Sequence, residues 1–264
     1  MKLLCGIILF YIILVIVLFV AQRTVIYFPD KSKPVPIQGV DIVKVTAQDG
    51  QKLEAWYIPP AMPDKPVIVL FHGNAGHYGH RIYKAQTYLA AGYGMLLAEY
   101  RGYGGNRGAI SEQGFYHDGR AYIDWLLEAQ KIDVGNIILY GESIGSGTAV
   151  QMATEYNVKG LVLEVPFSSL VDIAGRQYPF IPVKYLLSDR YMNIEKIEKI
   201  DAPLLILHGH KDQTIPFDSA KNLFEAATEP KKFIEFPQGN HNDLYDFGAS
   251  QHVLDFLAGI DEKN

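Results

Sequence analysis

Gly141-Glu142-Ser143-Ile144-Gly145 stands directly after the apolar run Asn136–Tyr140 and directly before a helical stretch. A G-x-S-x-G pentapeptide in that strand, turn and helix context bends the chain so tightly that flanking side chains would collide, which calls for glycine at 141 and 145. The same bend leaves a serine projecting above the sheet edge at a helix N-terminus, so Ser143 is the candidate nucleophile. A serine hydroxyl is a weak nucleophile at neutral pH and needs a base to take its proton, with a third group to orient that base. Elbows of this kind take their partners in the chain order acid, then histidine, from loops after late strands. Asp212 follows the apolar run Leu204–His208 and His241 follows Lys232–Phe236, so Asp212 and His241 are the expected acid and base. Asp243 competes for the acid role, but two residues from His241 on one loop it is badly placed to reach the ring. His208 and His210 flank the acid and read as ordinary hydrogen-bonded histidines.

Acyl transfer also needs donors for a developing oxyanion. His72-Gly73-Asn74-Ala75-Gly76 follows the run Val67–Phe71, where such an architecture supplies one donor, and the expected pair is the backbone N–H of Asn74 and that of Ile144. A glycine-rich turn with no other duty is the plain alternative for that loop. His72, His77 and His80 have no carboxylate or cysteine at ligand spacing, so no metal is expected, and a serine triad needs no cofactor. Arg101-Gly102-Tyr103-Gly104-Gly105, after the run Met95–Ala98, reads as a loop on the rim of the site.

The elements that must position these residues alternate along the chain. Val40–Thr46 and Lys52–Ile58 alternate apolar and polar residues around Asp49-Gly50, a hairpin pattern. The runs Val67–Phe71, Met95–Ala98, Ile137–Tyr140 and Leu161–Val165 fit strands buried on both faces of a mostly parallel sheet. Helical patterns at Arg81–Ala91, Gly114–Gln130 and Ser143–Tyr156 separate them, and the strands Leu204–His208 and Lys232–Phe236 with the helices Phe217–Ala227 and Ala249–Ala258 complete an α/β chain. Residues 168–200 interrupt the alternation with aromatic, proline and basic residues, either as a small lid or as a pair of surface helices. Tyr178, Phe180, Tyr185 and Tyr191 of that segment would line an apolar acyl pocket or pack on the core.

Leu3 to Ala21 carries no charge, and its 19 residues approach the ~30 Å hydrocarbon thickness of a bilayer. We read residues 1–22 as a transmembrane anchor, 23–38 as a tether and 39–264 as one catalytic domain; a cleaved signal peptide is the rival reading of the first segment. Arg23, Lys31 and Lys33 against Lys2 lean towards a cytoplasmic body. Of the 264 residues, 48% are hydrophobic and 20% charged, which suits a packed core rather than a disordered chain. A formal charge of −5, with no basic run beyond Lys231-Lys232, excludes a nucleic-acid footprint. Cys5, the only cysteine, lies in the apolar stretch, so the body can form no disulfide or cysteine metal site.

With these residues assembled, the chain resembles a family of single-pass α/β hydrolases of bacteria and eukaryotes, related to the serine peptidase clan and to eukaryotic protein depalmitoylases. The resemblance is carried by Gln22-Arg23 to Tyr27-Phe28-Pro29, the loop 72–76, Tyr100-Arg101-Gly102-Tyr103-Gly104, Leu139 to Gly147, His208-Gly209-His210-Lys211-Asp212 and Gly239-Asn240-His241-Asn242-Asp243. It implies an α/β-hydrolase fold with an N-terminal antiparallel hairpin, a small lid and a preceding transmembrane helix, and Ser143, Asp212 and His241 fall on the family's triad positions. The family often has a second glycine where this chain has Asn240. The lipidated-cysteine motifs of the depalmitoylases are not evident, so depalmitoylation is not implied. The expected chemistry is hydrolysis of a carboxylic ester or thioester of a small or lipid-like acyl substrate, through an acyl-enzyme. An amide or peptide substrate, or a non-catalytic binding module at the membrane, are the alternatives.

Overall fold

Strands apolar on both faces are stable only in the middle of a layered structure. The computed structural model, which describes residues 1–62 and 64–261, places them there. Eight strands form the main sheet: β1 (Asp41–Thr46), β2 (Lys52–Ile58), β3 (Val67–Phe71), β4 (Gly94–Ala98), β5 (Ile137–Glu142), β6 (Gly160–Glu164), β7 (Leu204–Gly209) and β8 (Lys231–Phe236). Their spatial order is 8-7-6-5-3-4-2-1. All pairs are parallel except β1 with β2 and β2 with β4. Strands β3 to β7 are buried at every residue, whereas the edge strands β1 and β8 are each partly exposed. The expected hairpin forms in the register Thr46↔Lys52, with Gly50 at φ +83° in the turn.

Successive side chains of a strand point to opposite faces, so the sheet separates two cores. Val67, Val69 and Phe71 join Phe115, Met152 and Leu223 on one face, while Ile68 and Leu70 join Ala85, Tyr88 and Val253 on the other. The covering helices run Ile82–Ala90, Glu112–Glu128, Gly145–Glu155, Phe217–Ala226 and Ala249–Asp261. The second begins two residues before the expected Gly114 because Ser111 caps it, its hydroxyl accepting the Gly114 N–H at 3.0 Å. Residues 262–264, the end of the expected domain, lie outside the described residues.

The loop 101–105 borders the glycine-rich loop 72–76 through the Tyr103 hydroxyl, which donates to the Asn74 carbonyl at 2.9 Å, and it is also a structural clamp. Arg101, only 6% exposed, donates to Asp118 on the helix Glu112–Glu128 at 2.7 and 2.9 Å and to Asp49 of the β1–β2 turn at 3.0 Å. A buried guanidinium must be paired, and the two nearest carboxylates belong to elements that adjoin the loop only in space. The hydrogen bond from Arg101 holds the Asp49 carboxyl down at about 2. Because the folded value is depressed, the stability this group contributes is present above the ordinary carboxylate value of about 4 and is lost as pH falls towards 2. Thermal melts should therefore show a gap between wild type and Asp49→Asn that is full at pH 5 and closes below pH 4 (values of order set by these titrations, about 4 and about 2); a gap of constant size across that range would refute the assignment.

One helix among the described residues is long and apolar enough to cross a membrane, Lys2–Ile26, and none of its residues is buried. It extends four residues beyond the expected end of the anchor at position 22. The segment expected as a tether is docked over much of its length instead of acting as a spacer. Phe28–Pro29 pairs in parallel with Ala75–Gly76, Gly104 N–H donates to the Asp30 carbonyl at 2.8 Å, Lys33 pairs with Glu54, and Pro34 is buried. Backbone groups of an extended segment need partners, and the glycine-rich loop offers them.

Residues 168–200 fold as short helices, Leu170–Gln177 and Val183–Leu186, followed by single turns. They lie against the C-terminal half of the N-terminal helix. Arg23 makes a two-pronged ion pair with Asp189 at 2.9 and 3.2 Å, and Gln22 accepts the Ser188 N–H at 2.7 Å. Of the four aromatics, Tyr178 lines an apolar groove against the N-terminal helix and Tyr191 packs on the core, while Phe180 and Tyr185 do neither. Tyr191 is fully buried in the core, whereas Phe180 and Tyr185 are 85% and 82% exposed.

Candidate active site

Every part of the site hangs on the ends of parallel strands. β5 ends at Glu142, and the next residue turns with φ +52°, a conformation that costs strain in any residue but glycine. Neighbouring backbone enforces it: a Cβ on Gly145 would lie 2.1 Å from the Phe71 carbonyl oxygen, and one on Gly141 would lie 2.6 Å from the Ser146 Cα. The Ser143 N–H donates to the Glu164 carbonyl at 2.9 Å, and the Ser143 carbonyl accepts from the Ser146 hydroxyl at 2.6 Å. The elbow is thus tied both to β6 and to the helix Gly145–Glu155, with Ile144 as that helix's N-cap.

The fold brings Ser143, His241 and Asp212 into one line. Asp212 Oδ2 lies 2.7 Å from His241 Nδ1, and His241 Nε2 lies 3.0 Å from Ser143 Oγ. An ionised carboxylate can only accept, so Nδ1 carries the proton and donates to Asp212, leaving Nε2 to accept from the serine hydroxyl. The other carboxylate oxygen accepts the N–H groups of Thr214 and Ile215, each at 2.8 Å. Burial alone would raise the Asp212 pKa, but the hydrogen bond and charge of His241 and the Ile215 N–H outweigh it and hold the carboxyl below its ordinary value. The rival acid is used elsewhere: Asp243 accepts the Asn240 N–H at 2.6 Å, and Asn240 in turn accepts the His241 N–H at 2.8 Å. Asn240, where the family often has glycine, therefore helps shape the histidine loop. The loops after β7 and β8 touch at two glycines, where a Cβ on Gly209 would lie 2.3 Å from the Gly239 oxygen.

Of the other histidines, His210 pairs with Glu235 on the surface at 2.9 Å. His208 is buried behind the acid, with Nδ1 donating to the Gly209 carbonyl at 3.0 Å and Nε2 3.7 Å from Asp212. Burial lowers its pKa and favours the neutral ring. His72 bridges Glu99 and the Gly73 carbonyl, each at 2.7 Å, and so braces the loop 72–76 from within.

In that loop the Asn74 side chain is engaged on every side. Its amide donates to the Ile26 carbonyl, its Oδ1 accepts from the Phe28 N–H and the Tyr103 hydroxyl at 3.2 Å each, and its own carbonyl accepts Tyr103 at 2.9 Å. What Asn74 has to offer a substrate is its backbone N–H. Ile144 offers its own from a helix N-terminus, where the backbone dipoles favour negative charge.

Two features escaped the residue types alone. Glu142, the variable residue inside the elbow motif, is buried and held by Arg81 through two bonds of 3.0 Å and by Lys84 at 3.2 Å, and Lys84 also reaches Glu164 at 2.7 Å. A charged residue between a buried strand and a buried elbow was the available signal, since such a group must be paired. The second is a carboxylate where none was expected. Pairing of Phe28–Pro29 with Ala75–Gly76 carries Asp30 to His77 and His80, whose ligand-type atoms lie within 4.8 Å of one another. These are ligand types that divalent cations accept.

The comparisons with known proteins agree with this architecture. A family profile for the alpha/beta hydrolase fold matches residues 66–189. The chain is 39% identical over 229 residues to an uncharacterised protein of Mycobacterium tuberculosis, covering 84% of this chain and 81% of that one. It is 30% identical to protein bem46 of Schizosaccharomyces pombe over 92% of this chain and 88% of the other. The solved esterase Pf2001 of Pyrococcus furiosus shares the fold with a TM-score of 0.73 at 18% identity, over 88% of this chain and 98% of that one. The chain belongs to the α/β-hydrolase family.

Proposed function

We propose that this protein is a membrane-anchored serine hydrolase that cleaves a carboxylic ester or thioester through an acyl-enzyme. The observation that carries the reading is the hydrogen-bonded line from Asp212 through His241 to Ser143, 2.7 and 3.0 Å, at a strained elbow. Ser143 Oγ attacks the acyl carbon while His241 Nε2 takes its proton, and the carbonyl electrons move onto an oxygen held by the N–H groups of Asn74 and Ile144. Collapse of the tetrahedral intermediate breaks the bond to the leaving oxygen or sulfur, which His241 protonates. Water then attacks the acyl-enzyme, giving its proton to His241, and the acid leaves as Ser143 recovers its hydrogen. Asp212 stays ionised and stabilises the imidazolium formed at each step. Support for the membrane part of the reading is the helix Lys2–Ile26, whose 25 residues span about 37 Å and include no buried residue.

The test is labelling of the full-length protein with a fluorophosphonate, which reacts with an activated serine. Labelling that is present in wild type and absent in Ser143→Ala supports the reading. A folded wild type that takes no label and turns over no p-nitrophenyl ester would replace it with a non-catalytic binding role for the same surface.

A further inference from the structure

The N-terminal helix and the lid enclose a groove whose chemistry is one-sided. Val15, Phe19 and Ile26 of the helix face Ala174, Ile181 and Leu186 of the lid. Gln22 is the only amide or charged side chain in the wall, and it is already committed: its Nε2 donates to the Phe19 carbonyl at 2.7 Å and its Oε1 accepts the Ser188 N–H at 2.7 Å. Such a lining has little to offer a polar ligand and much to offer a hydrocarbon chain.

Three further contacts say where the groove leads. Ile26, at one end, has its carbonyl bonded by the amide of Asn74, so the groove closes against the loop that supplies the proposed oxyanion donor. One helical turn beyond the other end, at Val15, the Tyr11 hydroxyl donates to the Phe180 carbonyl at 2.8 Å. Tyr11 lies about 22 Å along the helix from Ile26, so the lid reaches down beside the part of the helix that would stand in hydrocarbon. Phe180 and Tyr185 are exposed on that descending segment, and aromatics in such a position are the usual residues of a membrane interface. Arg23 and Asp189 pin the two walls together.

We propose that this groove is the acyl-chain site, and that its occupant is the hydrocarbon chain of a membrane-resident ester or thioester that enters from the bilayer and delivers its carbonyl to Ser143. The assignment rests on the hydrolase reading and names its substrate class. The anchor is then one wall of the binding site as well as a means of localisation.

The experiment uses the full-length protein in phosphatidylcholine vesicles. Ala174→Phe places a ring in the groove in the path of about three or four methylenes, each worth about fourfold in binding, so the ratio of kcat/KM for p-nitrophenyl palmitate to that for the acetate should fall on the order of 100-fold. Taking the ratio removes any general loss of folded enzyme. In parallel, a diazirine-bearing palmitate should cross-link Ser143→Ala within residues 15–26 and 174–187. A wild type that takes the fluorophosphonate while its chain-length ratio ignores Ala174→Phe would overturn the assignment, as would cross-links confined to other residues. Cross-links in the groove of a protein that takes no fluorophosphonate would support the chain site and overturn hydrolysis alone.

Discussion

Ser143→Ala is expected to lower kcat for a p-nitrophenyl ester by about 10⁶, His241→Ala by about the same factor, and the double variant no further than either. In the proposed mechanism the two groups act in one event. Without the imidazole, Ser143 keeps its proton and is a poor nucleophile, and without the hydroxyl the base has nothing to activate. Asp212→Asn should cost about 10⁴, because an amide in place of the carboxylate no longer fixes the Nδ1–H tautomer or stabilises the imidazolium. The short contact of 2.7 Å between Asp212 and His241 is what makes that substitution expensive. Steady-state kinetics on purified variants, with melting curves to show that each is folded, decide the matter. Losses that simply multiply in the double variant would mean that Ser143 and His241 do not work as a unit. The depressed pKa of Asp212 adds a sign: the carboxyl is ionised above its ordinary value of about 4, so an acid limb of activity above that pH does not arise from Asp212.

Lys84→Met is expected to destabilise the fold by about 3–5 kcal/mol, the cost typical of breaking a buried ion pair from one side. Lys84 is 3% exposed, with Glu164 at 2.7 Å and Glu142 at 3.2 Å. Burial by itself would push its ammonium pKa down, but the two facing carboxylates hold it up, so the group is charged and is the partner they need. Removing it leaves Glu142 with Arg81 and leaves Glu164 with only the Tyr140 hydroxyl, at 2.7 Å, among these neighbours. For a domain of this size the loss corresponds to a fall in Tm on the order of 10 °C. Adding Glu164→Gln should recover much of it, since the uncompensated buried charge is then gone. A single variant that melts with the wild type would show that these carboxylates are not held as ions. Because Glu142 immediately precedes Ser143, even a partial loss of this network should also reduce fluorophosphonate labelling.

Features that depend on contiguous residues can be read from the chain directly. Gly141 and Gly145 around Ser143 are demanded by a turn whose φ angle and close backbone leave no room for side chains. The fully buried runs of β3 to β7 announce central strands, because only strands covered on both faces are apolar at successive residues. Asp212 and His241 were legible for a related reason: each follows a strand whose end fixes where its loop begins.

The remaining features rest on meetings between residues far apart in the chain, which packing alone arranges. Nothing in the local pattern assigns Arg101 to Asp118 and Asp49, sends Asp30 to His77 and His80, or turns residues 27–34 from a spacer into part of the domain. The same holds for Asn74, whose side chain joins the loop 72–76 to the end of the N-terminal helix, and for Tyr191, which lies in the core while Phe180 and Tyr185 of the same segment face outward. A backbone angle or a run of apolar residues constrains its own segment, whereas the partner of a buried charge is whichever opposite group packing brings within reach.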